Sequence, residues 1–428
     1  MKILVLHRVP YPKIAYSRGI DHDLHDVTYF GRREALANLP AGLRCEQVER
    51  AGLQGPYDEA RAWLDARPRT FDRVISMSEY ELLDAARLRA DLGVEGTSVE
   101  QVMLARDKVL MKEAVERAGL RVPRFLPVQE FLDSGGRSPW AGATVLKPHR
   151  GASSIDVVVF DSAAQAHEAI AGRRTGVRSI DEDGRGLPDH EVEEFVEGKI
   201  LHFDGLVEKG TVLALGASEY VGTCLDYARG LPMGSFQFEV TDDAREWAAA
   251  ALAAVRIEDG SFHLEAIVDG TEPVFLEVGN RVGGADVVDT FELATGIHLP
   301  SFELRILLGE PTAGTLPELP AERDWYGWFV HPGHHLGDRV FEGFDGAEPF
   351  RSAPEVVTWH ELPVGAPLPD HLTYGAHETA LAGIAVTGSP EETRRWMTRL
   401  FASLTLRVSE PVAPGTPLPG AAVSDAVA

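Results

Sequence analysis

Two short segments set acids where strands are expected. SFHLEAIVD (Ser261–Asp269) and EPVFLEVG (Glu272–Gly279) are largely apolar and are joined by a Gly-containing turn. Side chains alternate along a strand, so His263 and Glu265 share one face, as do Phe275 and Glu277 on the neighbouring strand. The two carboxylates can therefore meet. Acids brought together in an apolar sheet repel each other, and burying either without a counter-charge is costly. A divalent cation removes the conflict. Mg²⁺ is usually held by one or two carboxylates together with substrate phosphates, so the pair implies a nucleotide as well as a metal. Arg281, four residues past Glu277, adds a fixed positive charge beside that metal. The competing account leaves Glu265 and Glu277 on the wet side of a half-buried sheet.

A second cluster lies upstream. In TVLKPHRGASSIDVVVF, Lys147 ends a strand and Gly151, Ala152, Ser153 and Ser154 follow before the chain returns as a strand. Small residues let backbone amides approach an anion, and the two hydroxyls add donors, so this loop can clamp phosphates; an ordinary turn is the alternative. There is no GxxxxGK[ST] loop and no GxGxxG after the first strand, which disfavours P-loop and dinucleotide Rossmann readings. GxSxG and HExxH are also missing, which removes the simplest hydrolases. HPGHH (His331, His334, His335) reads as solvated or substrate-contacting histidines rather than a metal site. His263 is a structural histidine or one that orients Glu265. Ser78 reads as a helix N-cap or as lining for a cleft, and Arg305 as structural or as a carboxylate holder.

The elements that carry these residues need a large chain, and 428 residues suggest two to three packed units. With 41 Lys and Arg against 66 Asp and Glu, the net charge of −25 repels nucleic acid and acidic membranes, so neither is expected as a partner. A small anion can still bind where lysines, arginines or helix N-termini converge. Cys45 and Cys224 are too few and too far apart for a disulfide framework or a zinc site. No apolar run approaches the roughly 20 residues that span a bilayer, and MKILVLHRVPYPK lacks the long apolar core of an export signal, so a cytoplasmic location is expected.

Strand-like pieces at Ile3–Leu6, Asp26–Phe30 and Phe71–Met77 alternate with helical patterns, which predicts a parallel, Rossmann-like α/β layer over residues 1–96. Ser98–Gly119 reads as one capped helix and Ala163–Ala171 as another; with the strands around Lys147 they form a linker and small lobe over 97–192. Alternating segments joined by EKG and DGT turns predict an antiparallel sheet over 193–320. An α/β appendage with a helix at Pro390–Ser403 follows over 321–408, then a Pro/Gly/Ala-rich tail, 409–428, too poor in apolar bulk to pack. No internal repeat is present.

Taken in order, these features resemble the ATP-grasp carboxylate-amine ligases over roughly residues 1–310. RDKVLMKEAVERAGLRVPRF is similar to that family's entry helix, and VLKPHRGASS to its flexible loop. The resemblance implies ATP-phosphate contacts from Lys108 and Lys147, with Gly151, Ser153 and Ser154 closing over the nucleotide. EVEEFVEGK resembles the inter-lobe hinge: Glu194, Phe195 and Val196 would frame adenine, the backbone of Glu194 and Val196 would bond to it, and Glu193 would accept from its amino group. Glu265 and Glu277, with Asn280, would be the Mg²⁺ ligands (Mn²⁺ as a substitute), and Arg281 would face the reacting carboxylate. Two positions depart from the family: Ile200 stands where many members hold the ribose with an acid, and Gly279 replaces the Asn of E-x-N-x-R, with Asn280 one place later. The Glu-x-Gly-x-Arg form with its following Gly pair resembles ligases that join two amino acids.

The implied fold is α/β (α+β): an ATP-grasp fold with an N-terminal Rossmann-like layer, a small lid lobe and an antiparallel ATP-binding lobe. The implied reaction activates a carboxylate as an acyl phosphate and couples it to an amine, releasing ADP and phosphate. Its partners would be a small carboxylate and a small amine, with a homodimer compatible. An ATP-dependent carboxylase of the same fold and a nucleotide-binding protein without turnover are the alternatives.

Overall fold

The computed structural model describes residues 1–410 except 152, 153, 271, 313, 321 and 322. Ser153 and the tail from residue 411 onward lie outside the described residues. The chain divides into two compact units. The first comprises Met1–Tyr220 and Gln237–Arg323, the second Val221–Phe236 and the chain from Asp324 onward. Residues 221–236, expected within the antiparallel lobe, thus pack with the C-terminal part instead.

The first unit opens with four parallel strands, β1 (Lys2–His7), β2 (Asp26–Gly31), β3 (Glu46–Glu49) and β4 (Arg73–Ser76), in the order β3-β2-β1-β4. Ile3, Val5 and Tyr29 are buried on one face and Leu4, Leu6 and Phe30 on the other, as a sheet covered on both sides requires. A small antiparallel sheet follows, made of β5 (Phe125–Pro127), β6 (Thr144–Pro148), β7 (Val158–Phe160) and β8 (His190–Glu194) in the order β5-β8-β6-β7. The helices Val128–Asp133 and Ala163–Ala171 pack Phe131, Ala166 and Ile170 against it.

The third sheet of this unit uses β9 (Lys199–Glu208), β10 (Thr211–Val221), β12 (Gly260–Val268) and β13 (Pro273–Gly279), ordered β13-β12-β9-β10; β11 (Met233–Phe238) belongs mainly to the second unit. Alternation decides its two faces. Phe203, Phe262, Leu264 and Phe275 pack with Met111 and Val115 of the helix Lys108–Arg117 and Leu252 of the helix Asp242–Ala254. His202, Asp204, His263 and Glu265 are therefore turned to the other face, where they are buried together.

The expected single helix over Ser98–Gly119 is broken. Val99–Leu104 starts in a capping box between Ser98 and Gln101, and a second helix, Lys108–Arg117, starts anew because Asp107 accepts from the amides of Val109 (3.1 Å) and Leu110 (3.2 Å). The break makes Lys108 the first residue of a helix. Ser78 precedes the turn Glu79–Glu81, but its side chain makes no cap bond.

In the second unit, β11, β14 (Trp325–His331), β16 (Val356–Glu361) and β17 (Leu381–Thr387) form a sheet ordered β11-β14-β17-β16, and β15 (Val340–Asp345) pairs with β18 (Thr405–Ser409). The expected helix Pro390–Ser403 is present and buries Trp396, Met397 and Leu400. His334 Nε2 donates to the Ala228 carbonyl at 3.1 Å, and the HPGHH histidines do not converge as metal ligands among the described residues.

One buried acid of the first unit carries a pH signature. Glu303, on the helix Leu299–Leu308, is 4% exposed and accepts from Ser261; burial pushes its carboxyl up to about 7 from an ordinary 4.5. Above the ordinary value the unfolded chain has lost this proton while the folded chain keeps it, so stability falls with rising pH up to about 7, by about 3 kcal/mol. Glu303→Gln removes that dependence. Urea unfolding should show the variant gaining about 3 kcal/mol on wild type between about pH 4 and about pH 8. Parallel pH profiles would show that Glu303 ionises freely in the folded protein.

Candidate active site

The antiparallel register sets Glu265 directly opposite Glu277 on β12 and β13. Glu265 accepts from the Tyr220 hydroxyl at 2.7 Å and from His263 Nε2 at 3.3 Å. Burial raises its carboxyl, but the bond from His263, the charge on that ring and the Tyr220 bond outweigh this and lower it. His263 Nδ1 donates to Asp204 at 2.8 Å, and His202 Nδ1 lies 2.6 Å from the other oxygen of Asp204. Burial would lower the His263 imidazole, yet Asp204 and then Glu265 push it up to about 10. A cationic His263 thus tethers Glu265 to the sheet.

Among the described residues, His202, Asp204 and His263 are the one group of metal-ligating types whose ligand atoms converge. Their 2.6 and 2.8 Å separations are hydrogen-bond lengths, which accounts for the cluster without an ion. Gly283 fits the same feature. A Cβ there would lie 2.8 Å from Asp204 Oδ1 and 2.8 Å from Val287, so the first glycine of the pair permits a close approach.

Lys108 connects the carboxylate pair to the loop after β6. Its Nζ lies 3.0 Å from Glu277 and donates to the Gly151 carbonyl at 3.1 Å, while its backbone amide donates to His149 at 2.9 Å. Ser154 has a left-handed backbone, φ 55°. Lys147 lies on β6, its Nζ 2.7 Å from Glu193.

Glu193 has a different duty from the one expected. Lys112, fully buried, sits 2.8 Å from Glu191 and 2.7 Å from Glu193, and Lys147 holds Glu193 from the other side. Burial alone would raise the Glu193 carboxyl, but Lys112 and Lys147 bring it down to about 2. Two lysines and two glutamates form a buried, neutral quartet, so Glu193 is spent on lysines rather than left open for an adenine amino group. The Glu194 amide is likewise taken, by the Arg124 carbonyl at 2.9 Å. Val196 lies just past β8, and no backbone bond occupies its amide among the described residues; Phe195 beside it is 43% exposed. Ile200 lies in β9, and its neighbour Lys199 pairs with Glu219 at 3.0 Å.

Arg281 lies on the carboxylate side of the sheet, and Asn280 does not. Alternation turns Asn280 away from Glu277, and its amide donates to the carbonyls of Asp259 (3.1 Å) and Ser261 (2.8 Å). It staples the strand end, so its amide group is engaged by backbone rather than turned to the carboxylate pair as expected of a metal ligand. The stem of Arg281 covers Gly279, where a Cβ would lie 3.2 Å from Arg281 Cγ, so this side chain fills the space that a residue at 279 would use. Arg281 Nε donates to Glu79, and Nη1 donates to the Val282 carbonyl at 2.8 Å. Glu79 also binds Arg106. Burial raises its carboxyl, but Arg281 and Arg106 draw it down to about 2. Among the described residues, Arg305 reaches the Arg18 carbonyl, at 3.5 Å, and the Phe302 ring.

No family model matches the chain. The L-amino acid ligase from Bacillus licheniformis superposes with a TM-score of 0.67 at 20% identity, covering 96% of this chain and 98% of that one. The chain has the ATP-grasp fold. Other solved structures superpose over similar lengths. Phosphoribosylglycinamide synthetase from Anaerococcus prevotii gives a TM-score of 0.63 at 14% identity, over 95% of this chain and 99% of that one. The biotin carboxylase domain of Hydrogenobacter thermophilus 2-oxoglutarate carboxylase, in complex with MgADP, ADP and bicarbonate, gives 0.65 at 14%, over 96% and 91%. At these identities the likeness is one of fold. By sequence, 244 residues are 25% identical to the L-arginine-specific L-amino acid ligase of Bacillus subtilis, 55% of this chain and 57% of that protein. The match thus spans little more than half of the curated relative. Within the ATP-grasp fold of this chain, no helix of the described residues is long and apolar enough to cross a membrane.

Proposed function

We propose that the protein is an ATP-dependent ligase that activates the carboxylate of one amino acid and couples it to the amine of another, releasing ADP and phosphate. The observation that carries this is the grouping of Glu265 and Glu277, opposed across two strands, with Lys108 on Glu277 and Arg281 alongside. Likeness to two amino acid ligases supports amino acids as the substrates.

Two opposed carboxylates, one of them pinned by Tyr220 and His263, are a donor set that suits Mg²⁺. When bound there with ATP, the ion would neutralise charge on the β- and γ-phosphates. The chain's own residues do the remainder. Lys108 and Lys147 would hold phosphate oxygens, the loop after β6 would exclude water, and the Val196 amide would receive adenine. A carboxylate oxygen of the donor attacks the γ-phosphorus, the bond to the β-bridging oxygen breaks, and an acyl phosphate and ADP result. The acceptor amine then adds to the acyl carbon. Phosphate leaves with the C–O bonding pair, the amine loses its proton, and an amide remains. Arg281, charged throughout because Glu79 outweighs its burial, is positioned to stabilise negative charge on the reacting carboxyl.

Incubation with ATP, Mg²⁺ and paired amino acids tests this reading. Phosphate release that requires both a donor and an acceptor, with a dipeptide by mass spectrometry, is the expected result; release with bicarbonate as the sole acid would favour carboxylation. Glu277→Gln should weaken Mg²⁺-dependent nucleotide binding and lower turnover together, the latter by about 100-fold or more. Unchanged Mg²⁺ dependence in a calorimetric nucleotide titration would remove Glu277 from the metal.

A further inference from the structure

The parallel sheet ordered β3-β2-β1-β4 reverses direction at β1. Connections leave β1 toward β2 on one side, while β4 lies on the other, so the carboxyl ends of β1 and β4 form the topological switch point, where open α/β sheets bind ligands. Arg8 immediately follows β1, and Glu79 and Tyr80 follow β4. The Arg8 guanidinium lies 4.9 Å from the centre of the Tyr80 ring, Arg106 lies 5.8 Å from the same ring, and Tyr80 is 51% exposed. Arg8 has no hydrogen bond or ion pair among the described residues. Glu81, the acid that feels its charge, is buried and bound to Arg50 at 3.2 Å.

These groups continue the candidate active site as an alternating series of charges. Arg281 is positive, Glu79 beside it negative, and Arg106 and Arg8 around Tyr80 positive again. A donor carboxylate on Arg281 uses the first charge. A second substrate that must bring an amine next to that carboxylate meets Glu79 with its ammonium and the arginines with any anion it carries. We propose that the switch point between β1 and β4 seats the acceptor, an α-amino acid with a free carboxylate held by Arg8 over Tyr80. Reversing the molecule would set its ammonium against Arg8 and its carboxylate against Glu79, so the charge order also fixes its direction. The inference rests on the ligase reading and adds the class of the acceptor and the residue that selects it.

The test compares each protein amino acid with its α-carboxamide as acceptor, measured as acceptor-dependent phosphate release at saturating ATP, Mg²⁺ and donor. Wild type should prefer the acid by about 10- to 100-fold in kcat/KM, because a guanidinium built for a carboxylate is left poorly paired by the amide. Arg8→Met should raise KM for the acid by a similar factor, erase the preference, and leave KM for ATP within about twofold. Arg8→Lys should restore part of it, since the charge returns without the planar fork. Because Arg8 is exposed, thermal midpoints of both variants should match wild type. Equal use of acid and amide by wild type, or an unchanged KM in Arg8→Met while ligation persists, would overturn the acceptor seat and leave the ligase reading standing. Absence of amine-dependent release with every donor and acceptor would overturn both.

Discussion

Replacing Arg281 with alanine is expected to lower ligation by about 100- to 1000-fold while leaving the affinity for ATP within a few-fold. The expectation follows from where this side chain lies. Its stem covers Gly279, its Nε is tied to Glu79, and the charges it senses after Glu79 are those of Glu277 and Glu265. Phosphates, by contrast, are assigned to Lys108 and Lys147, which Arg281 does not contact. A fixed cation of this kind acts on charge that develops at the acyl centre, so its loss should appear in kcat more than in the KM for nucleotide. Arg281→Lys should lose less than alanine, because it retains charge but not the bond geometry that Glu79 grips. Nucleotide affinity measured by calorimetry beside turnover separates the outcomes. Loss of ATP binding with the same factor as turnover would move Arg281 to the phosphate side of the site.

The second large effect concerns folding. Lys112→Met should destabilise the first unit by about 3–5 kcal/mol, since Glu191 and Glu193 would remain buried with Lys147 as their only nearby cation. Size is nearly conserved, so the effect is one of charge rather than of packing. ATP affinity should fall as well, because Lys147 would be held more strongly by the two acids and less free to meet a phosphate. The double variant Lys112→Met/Glu191→Leu restores neutrality and should recover a large part of the lost stability. Denaturant unfolding of the single and double variants reads both terms. A single-variant loss below about 1 kcal/mol would mean that the quartet is more hydrated than its burial indicates.

The parts of the site that strand alternation encodes were legible in the residues themselves. Glu265 and Glu277 face each other as expected, but a register shift just after Glu265 turns Phe275 to the apolar face, so Phe275 and Glu277 do not share a face as plain alternation in FLE predicts. Asn280 is tied to backbone carbonyls, although family likeness draws it to the metal. The quartet also has a local signature: Glu191 and Glu193 stand two apart on one strand and so share a face, which calls for cations from elsewhere in the fold. HFD and HLE on adjacent strands likewise foreshadow the His202–Asp204–His263 cluster. Helix breakage at Asp107 was written in RDK, where an aspartate can cap a new start, but the continuous apolar pattern masked it. Glu79 is different in kind. It meets Arg281 across 202 positions of sequence, and no local periodicity reports which loop of one sheet will reach the end of another. The division at residues 221–236 is hidden for the same reason, being decided by pairing of β11 with β14 nearly a hundred positions later.

The central claim is that a carboxylate of one amino acid is activated by phosphoryl transfer before an amine displaces the phosphate. Donor amino acid labelled with heavy oxygen in its carboxylate tests it most directly, by mass analysis of the phosphate released during ligation. One labelled oxygen per phosphate, appearing only in turnovers that also yield ADP and dipeptide, is the predicted result. Unlabelled phosphate accompanying dipeptide, or label found in AMP, would contradict it.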